Sequence, residues 1–283
     1  MQSEISENEA YTYATKDVIV GVSDQTIEQA ISTIKNNKFR RLPIVADTEL
    51  IGILTATDII KYIVENRGQS PINTLLAEPV ERIMTKEVIT SSCEASIQKV
   101  AEIMTENRIG GLPLMANNQL VGIITERDML ALYSLTNVSS EILVRDVMSK
   151  DVITISPNNT LIEAMEKIVS AKIRRLPVTQ PDKGIIGIIC IHDIIRQLGN
   201  QQITPESEDA LFGTTVDKFM ATTLVCINAD DPLTQAASTM AWKRHGALPV
   251  TDDTKTQCRY GQLIGIITER DILRVISQPF NQN

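Results

Sequence analysis

One pattern recurs four times along this chain, and a fourfold repeat constrains the fold more than any single residue could. The copies align on Pro43, Pro113, Pro177 and Pro249, and sixteen residues before each proline an apolar set begins at i, i+3, i+4 and i+7. That spacing is one face of a helix. The stripes are Ile27, Ala30, Ile31, Ile34; Ile97, Val100, Ala101, Met104; Leu161, Ala164, Met165, Ile168; and Leu233, Ala236, Ala237, Met240. After each proline comes a turn and then an apolar segment, residues 50–54, 120–124, 185–189 and 263–267, which read as buried strands. Each segment carries a glycine, Gly52, Gly122, Gly187 or Gly265, and six residues later stands Asp58, Asp128, Asp193 or Asp271, opening a further helical segment. The proline-to-glycine distance is nine, nine, ten and sixteen residues, so length varies only in the hairpin loop, where insertions cost little. Residues 254–261 are that insertion.

With the prolines 70, 64 and 72 residues apart, the 283 residues divide into four units. A unit of sixty-odd residues is marginal alone, so the units are expected to pair. Stretches 65–79 and 199–215 are polar or turn-rich and read as linkers within a half. The expected repeats are 14–68, 80–135, 142–199 and 214–278, grouped into halves 1–135 and 142–278. The tails outside them are too short for a further catalytic core, so a stand-alone protein is expected.

The net charge of −8 argues against a surface built for unspecific phosphate-backbone binding, and only four Phe and one Trp offer little stacking. Nucleic acid is therefore an unfavoured partner. No apolar run approaches the roughly 20 residues of a membrane helix, and the first ten residues lack the features of a secretion signal. A cytoplasmic protein without a membrane partner is expected. Cys93, Cys190, Cys226 and Cys258 fall at differing places in the repeats, which fits reduced thiols better than a disulfide frame or a zinc knuckle. No metal site is expected.

Each second strand ends at a polar turn: Thr55-Ala-Thr-Asp58, Thr125-Glu-Arg-Asp128, Cys190-Ile-His-Asp193 and Thr268-Glu-Arg-Asp271. A helix N-terminus offers free N–H groups to an anion, and a nearby carboxylate accepts hydrogen bonds from sugar hydroxyls. A ribose phosphate suits that pair of groups. The plainer reading of each aspartate is a helix N-cap, and Cys190 shows that the fold does not require the hydroxyl. Arg40-Arg41 and Arg174-Arg175 directly precede Leu-Pro, where paired guanidiniums grip phosphate oxygens in forked geometry. Solvated arginines beside a helix C-terminus are an equally open reading. The other two copies have Gly110-Gly111 and Gly246-Ala247 there, small enough to admit a flat base.

Leu-Pro, Gly-Ile, Thr-x-x-Asp and the helix stripe, recurring together over nearly the whole chain, resemble the cystathionine β-synthase (CBS) domain family, and the arrangement resembles two tandem Bateman modules. The resemblance implies an α/β fold of four β-α-β-β-α repeats, paired through their sheets with pseudo-twofold symmetry around clefts that commonly bind adenosine ligands. Carried over, the ribose-binding carboxylate falls on Asp58, Asp128, Asp193 and Asp271, and the hydroxyl on Thr55, Thr125 and Thr268; Cys190 departs from it. In the gamma subunit of AMP-activated protein kinase basic residues before the middle strand meet phosphates, and Arg40, Arg41, Arg174 and Arg175 match them. Repeats two and four lack that match, and there Arg127 and Arg270 are candidates for phosphate charge or are helix-start arginines without a ligand. The best site is expected to use Arg40, Arg41, Thr55 and Asp58, with Ile109 and Gly110 as a base wall, and to bind more tightly than its parallel with Cys190.

The function expected is a non-catalytic sensor that binds AMP, ADP or ATP as a regulatory ligand rather than a cofactor, and acts on an unknown protein partner or on its own assembly, a homodimer included. S-adenosylmethionine-type ligands, or an interaction platform with empty clefts, are the alternatives. Catalysis finds little support: His192, His245 and the scattered cysteines form no repeated nucleophile–base pair, and no Gly-rich phosphate-transfer loop occurs.

Overall fold

The computed structural model describes residues 9–135, 142–200, 203–252, 258 and 262–278. Each apolar stripe becomes a helix: α1 Ile27–Asn37, α4 Ile97–Glu106, α7 Leu161–Ser170 and α10 Leu233–Lys243. All stripe residues are at most 1 % exposed, so the periodicity in the sequence is the buried face and nothing else. Helix α1 starts because Thr26 and Gln29 cap each other: Gln29 N donates to Thr26 Oγ1 at 3.2 Å and Thr26 N donates to Gln29 Oε1 at 2.9 Å. Ser96 and Thr160 cap the next two helices. Each helix ends at a basic residue in the left-handed region, Lys38, Arg108, Lys172 or Arg244, with φ between 54° and 57°.

Every repeat then forms an antiparallel hairpin: β1 Arg41–Ala46 with β2 Glu49–Thr55, β4 Gly111–Ala116 with β5 Gln119–Thr125, β6 Arg175–Gln180 with β7 Gly184–Cys190, and β9 Ala247–Thr251 with β10 Leu263–Thr268. A parallel neighbour precedes each helix. It is β3 Ser91–Ser92 in repeat 2, β8 Ile227–Asn228 in repeat 4, and a single bridge at Gly21 and at Ile155 in repeats 1 and 3. Proline is tolerated in the middle strand because the chain uses its carbonyl: Pro43 O accepts from Gly21 N at 2.8 Å and Pro177 O from Ile155 N at 3.0 Å. A closing helix completes each unit: α2 Ala56–Asn66, α5 Glu126–Leu135, α8 Ile191–Leu198 and α11 Glu269–Ser277. The β-α-β-β-α order that the resemblance implies is thus observed, with a leading strand of two residues in repeats 2 and 4 and a single bridge in its place in repeats 1 and 3.

Two compact units result. The odd unit holds repeats 1 and 3 as Ile19–Val88 and Ile153–Leu224; the even unit holds repeats 2 and 4 as Met1–Val18, Ile89–Val152 and Val225–Asn283. This grouping follows the helices, with α2 against α7 and α1 against α8 in the odd unit, and α5 against α10 and α4 against α11 in the even one. One apolar core fills each unit. The entry segment of every repeat is donated to its sequence neighbour. Thr85 of the 80–88 segment bridges Ile53, Thr15 bridges Ile123, Ala221 bridges Ile188, and Ser149, just after α6 Val144–Val147, bridges Ile266. These crossings explain the repeated glycine. A Cβ on Gly52, Gly187 or Gly265 would stand 2.5, 2.5 or 2.6 Å from Sδ of Met84, Met220 or Met148, and one on Gly122 would stand 3.3 Å from Thr15 O.

Two expectations fail. The stretches read as linkers contain helices α3 Ile72–Ala77 and α9 Pro205–Gly213, which bury Ile72, Leu75, Leu76 and Phe212 in the odd unit. Ile72 N donates to Glu208 Oε2 at 2.9 Å, and Arg67 stacks 5.2 Å from the Phe212 ring centroid. Their apolar runs are too short to display a period, which is why they read as connectors. The second failure concerns the thiols: Cys226 and Cys258 form a disulfide with Cα atoms 5.5 Å apart, while Cys93 and Cys190 are free. Spacing across 32 residues carried no pairing signal, because Cys226 and Cys258 meet only in the folded chain. Apart from Cys258, the 254–261 insertion lies outside the described residues.

Candidate functional site

The four strand-to-helix turns share one geometry. Arg41 stands opposite Thr55 in the β1–β2 ladder, and Gly111, Arg175 and Ala247 stand opposite Thr125, Cys190 and Thr268. The residue before each is fixed by its carbonyl: Arg40 O, Gly110 O, Arg174 O and Gly246 O accept from the N–H of Ala56, Glu126, Ile191 and Glu269 at 3.0 to 3.1 Å. The two positions ahead of Leu-Pro and the start of the closing helix therefore form a single corner in every repeat.

The aspartate has a different local role from the one expected. Thr55, not Asp58, is the N-cap; Asp58 occupies the third helical position and completes a capping box. Asp58 Oδ2 accepts from Thr55 N at 2.8 Å and from Thr55 Oγ1 at 2.7 Å, while Asp58 N donates to Thr55 Oγ1 at 3.3 Å. Thr125 with Asp128 and Thr268 with Asp271 repeat the bonds to Oδ2 at 2.7 to 2.8 Å. At Cys190 only the backbone bond survives, Cys190 N to Asp193 Oδ2 at 2.9 Å.

The second carboxylate oxygen separates the copies. Asp193 Oδ1 accepts from Arg196 Nη2 at 3.1 Å, and Asp271 Oδ1 lies 3.0 Å from Arg274 Nη2. In repeats 1 and 2 the residue three positions on is Lys61 or Ala131; Lys61 lies 3.8 Å from Glu65 and acts on Asp58 through its charge. Asp271 is 2 % exposed, whereas Asp58 and Asp128 are half-buried. Burial raises the pKa of both Asp58 and Asp128 above the usual aspartate value, against the hydrogen bonds from Thr55 and Thr125 that lower it.

Arg40, Arg41, Arg174 and Arg175 are all half-buried in the odd unit. Arg175 and, from the other repeat, Arg40 both act on the Cys190 thiol, which burial nonetheless pushes up to about 11. Cys190 therefore stays a neutral thiol at neutral pH. In the even unit Arg127 pairs with Glu269 at 3.9 Å and Arg270 with Glu126 at 3.6 Å. Ile109 and Gly110 also belong to the even unit, where Ile109 N donates to Met104 O at 3.0 Å. His192 lies in the first turn of α8, and His245 follows α10 with its N–H on Met240 O at 2.9 Å.

Among the described residues no group of three or more His, Cys, Asp or Glu side chains is placed to hold a metal, and no helix is long and apolar enough to cross a membrane.

A family model described as the CBS domain matches residues 10–65, 80–135, 144–200 and 216–278. An uncharacterized protein of Methanocaldococcus jannaschii is 28 % identical over 274 residues, spanning 92 % of this chain and 95 % of that protein. Its crystal structure, described as that of a candidate archaeal homolog of g-AMPK, superposes with a TM-score of 0.84 over 95 % of this chain and 99 % of that one. An uncharacterized 33.4 kDa protein of Thermofilum pendens is 25 % identical across 89 % of this chain and 85 % of its own length. A conserved protein of Pyrococcus horikoshii shares the fold at 18 % identity, with a TM-score of 0.64 over 95 % of this chain and 100 % of that one.

Proposed function

The chain belongs to the CBS-domain family, and from that premise we propose that it is a non-catalytic cytoplasmic sensor of an adenine nucleotide, AMP, ADP or ATP, held at the odd-unit corners. The observation that carries the reading is that each odd-unit corner sets two arginines against a capped turn, Arg40 and Arg41 against Ala56 and Thr55, and Arg174 and Arg175 against Ile191 and Cys190. Guanidiniums at that point bind phosphate oxygens by charge-assisted, forked hydrogen bonds. A carboxylate with one oxygen held by a cap keeps the other for ribose hydroxyls, and Asp58 is better placed than Asp193, whose Oδ1 is already engaged by Arg196. The likeness to the Methanocaldococcus protein described as a candidate g-AMPK homolog supports an adenine nucleotide over other phosphates.

Regulation follows from binding only where the ligand prefers one of two states. The partner addressed is a protein or a second copy of this chain. The test is displacement of a fluorescent ATP analogue by AMP, ADP, ATP and S-adenosylmethionine from the wild type and from R40A/R41A. The reading expects displacement by phosphorylated nucleotides and about tenfold or greater loss of affinity in the variant, the worth of one charge-assisted hydrogen bond. Displacement by S-adenosylmethionine alone would favour the alternative ligand class. Bound ATP recovered unchanged after prolonged incubation is the expected result for a protein that does no chemistry.

A further inference from the structure

The corners of the two units carry opposite charge. In the odd unit, Arg40, Arg41, Arg174 and Arg175 precede Leu-Pro, and Ala56-Thr57 and Ile191-His192 lie inside the turns. In the even unit Gly110-Gly111 and Gly246-Ala247 precede Leu-Pro, and Glu126-Arg127 and Glu269-Arg270 lie inside the turns. Four arginines therefore stand with two aspartates in one unit, and two arginines stand with four carboxylates in the other.

The even-unit arginines lie at ion-pair distance from those carboxylates. Arg127 Nε lies 3.9 Å from Glu269 Oε1, and Arg270 Nε lies 3.6 Å from Glu126 Oε1, so each arginine reaches the glutamate of the other repeat. Arg270 Nη2 also donates to Arg108 O at 3.2 Å. Glu269 and Glu126 are 1 % and 0 % exposed, while their arginines are 49 % and 34 % exposed. An ionised carboxylate removed from water needs a neighbouring cation. Each buried glutamate thus holds the guanidinium that a phosphate would need, and an incoming anion meets the negative charge behind it.

We propose that Glu126 and Glu269 are specificity-determining residues that close the even-unit corners to phosphate, so that phosphorylated ligands bind only in the odd unit. Arg127 and Arg270 then serve as internal counter-ions and not as phosphate ligands. The choice of ligand class rests on the nucleotide reading above, but the test of the glutamates does not depend on it.

Calorimetric titration of the full chain with pyrophosphate, and separately with ADP, counts the anion sites in the wild type, in E126Q/E269Q and in R127Q/R270Q. Glutamine keeps the shape of glutamate and removes its charge. The expected result is that E126Q/E269Q gains a pyrophosphate site absent from the wild type, while R127Q/R270Q leaves each wild-type affinity within about twofold. A lost site in R127Q/R270Q, or a weakening of about tenfold or more, overturns the inference. So does a folded E126Q/E269Q with the wild-type number of sites. Should E126Q/E269Q fail to fold, R127Q/R270Q decides alone. The variant R40A/R41A/R174A/R175A reports separately on the proposed function: undiminished ADP binding there contradicts the nucleotide assignment while leaving the glutamate test intact.

Discussion

Arg41 and Thr55 face each other across the β1–β2 ladder, so the first residue of the middle strand and the cap of the closing helix share one corner. A basic side chain and a hydroxyl–carboxylate pair 14 to 17 residues apart in sequence are brought together by the hairpin alone. The same register recurs in each repeat, so what distinguishes the four corners is side-chain identity and not backbone geometry.

Asp58 completes the capping box of α2 and, on the proposed nucleotide reading, offers its other oxygen to ligand, and two substitutions separate these roles. Asn at position 58 keeps an acceptor for Thr55 N, so D58N should unfold close to wild type, whereas D58A should lose about 0.5–2 kcal/mol, the range of a lost helix cap. Both should weaken nucleotide binding, by about tenfold for D58N. Denaturant unfolding beside ligand titration checks the separation.

Acid should reveal the raised pKa values. Because burial holds the folded pKa of Asp58 and Asp128 above 3.8, the folded state binds more protons than the unfolded state between the two values. These groups therefore contribute stability as pH falls through the folded pKa, and that contribution is lost as pH rises. Relative to D58N/D128N, the wild type should gain stability on acidification toward 3.8. Nucleotide affinity, which needs the ionised carboxylate, should fall over the same window, beginning above the usual aspartate range. A stability difference between wild type and D58N/D128N that does not change with pH counts against the shift.

The recurring glycines make a graded prediction. Ala at Gly187 or Gly265 meets both a methionine sulfur and a backbone carbonyl at 3.1 Å, whereas the three nearest atoms to a Cβ at Gly52 all belong to the flexible Met84 side chain and Ala at Gly122 meets nothing closer than 3.3 Å. G187A and G265A should each cost about 1–3 kcal/mol, the usual range for overpacking, with G52A and G122A below them. Chemical denaturation of the four variants gives the order.

The Cys226–Cys258 bond closes a loop with a sequence separation of 32. Chain-entropy reasoning gives it about 3–4 kcal/mol. Thiol reductant should lower the unfolding midpoint of the wild type and leave C226S/C258S unmoved. Equal midpoints with and without reductant would contradict the bridge.

Much of this was legible in the sequence because the repeats supplied their own controls. A helix stripe, a proline and a glycine–aspartate spacing kept four times marked a helix, two strands and a second helix in each repeat, and the resemblance to the CBS family supplied the leading strand. Other features depended on tertiary contacts. That Thr55 rather than Asp58 is the cap turns on one residue of helix boundary, which sequence does not fix. Helices α3 and α9 are held by burial of Ile72 and Phe212 against other elements, and the disulfide joins residues distant in sequence, so neither leaves a local trace. The reciprocal Arg–Glu pairs likewise need the even unit assembled, although Thr-Glu-Arg-Asp occurring in repeats 2 and 4 and in neither other repeat was a visible sign of a different corner.

The most direct measurement is calorimetric titration of purified, nucleotide-free protein with AMP, ADP, ATP and S-adenosylmethionine, using D58N as the control that keeps the cap. The account predicts saturable binding of a phosphorylated nucleotide that weakens in D58N without loss of fold. Silence toward all four compounds, or undiminished affinity in D58N, would contradict it.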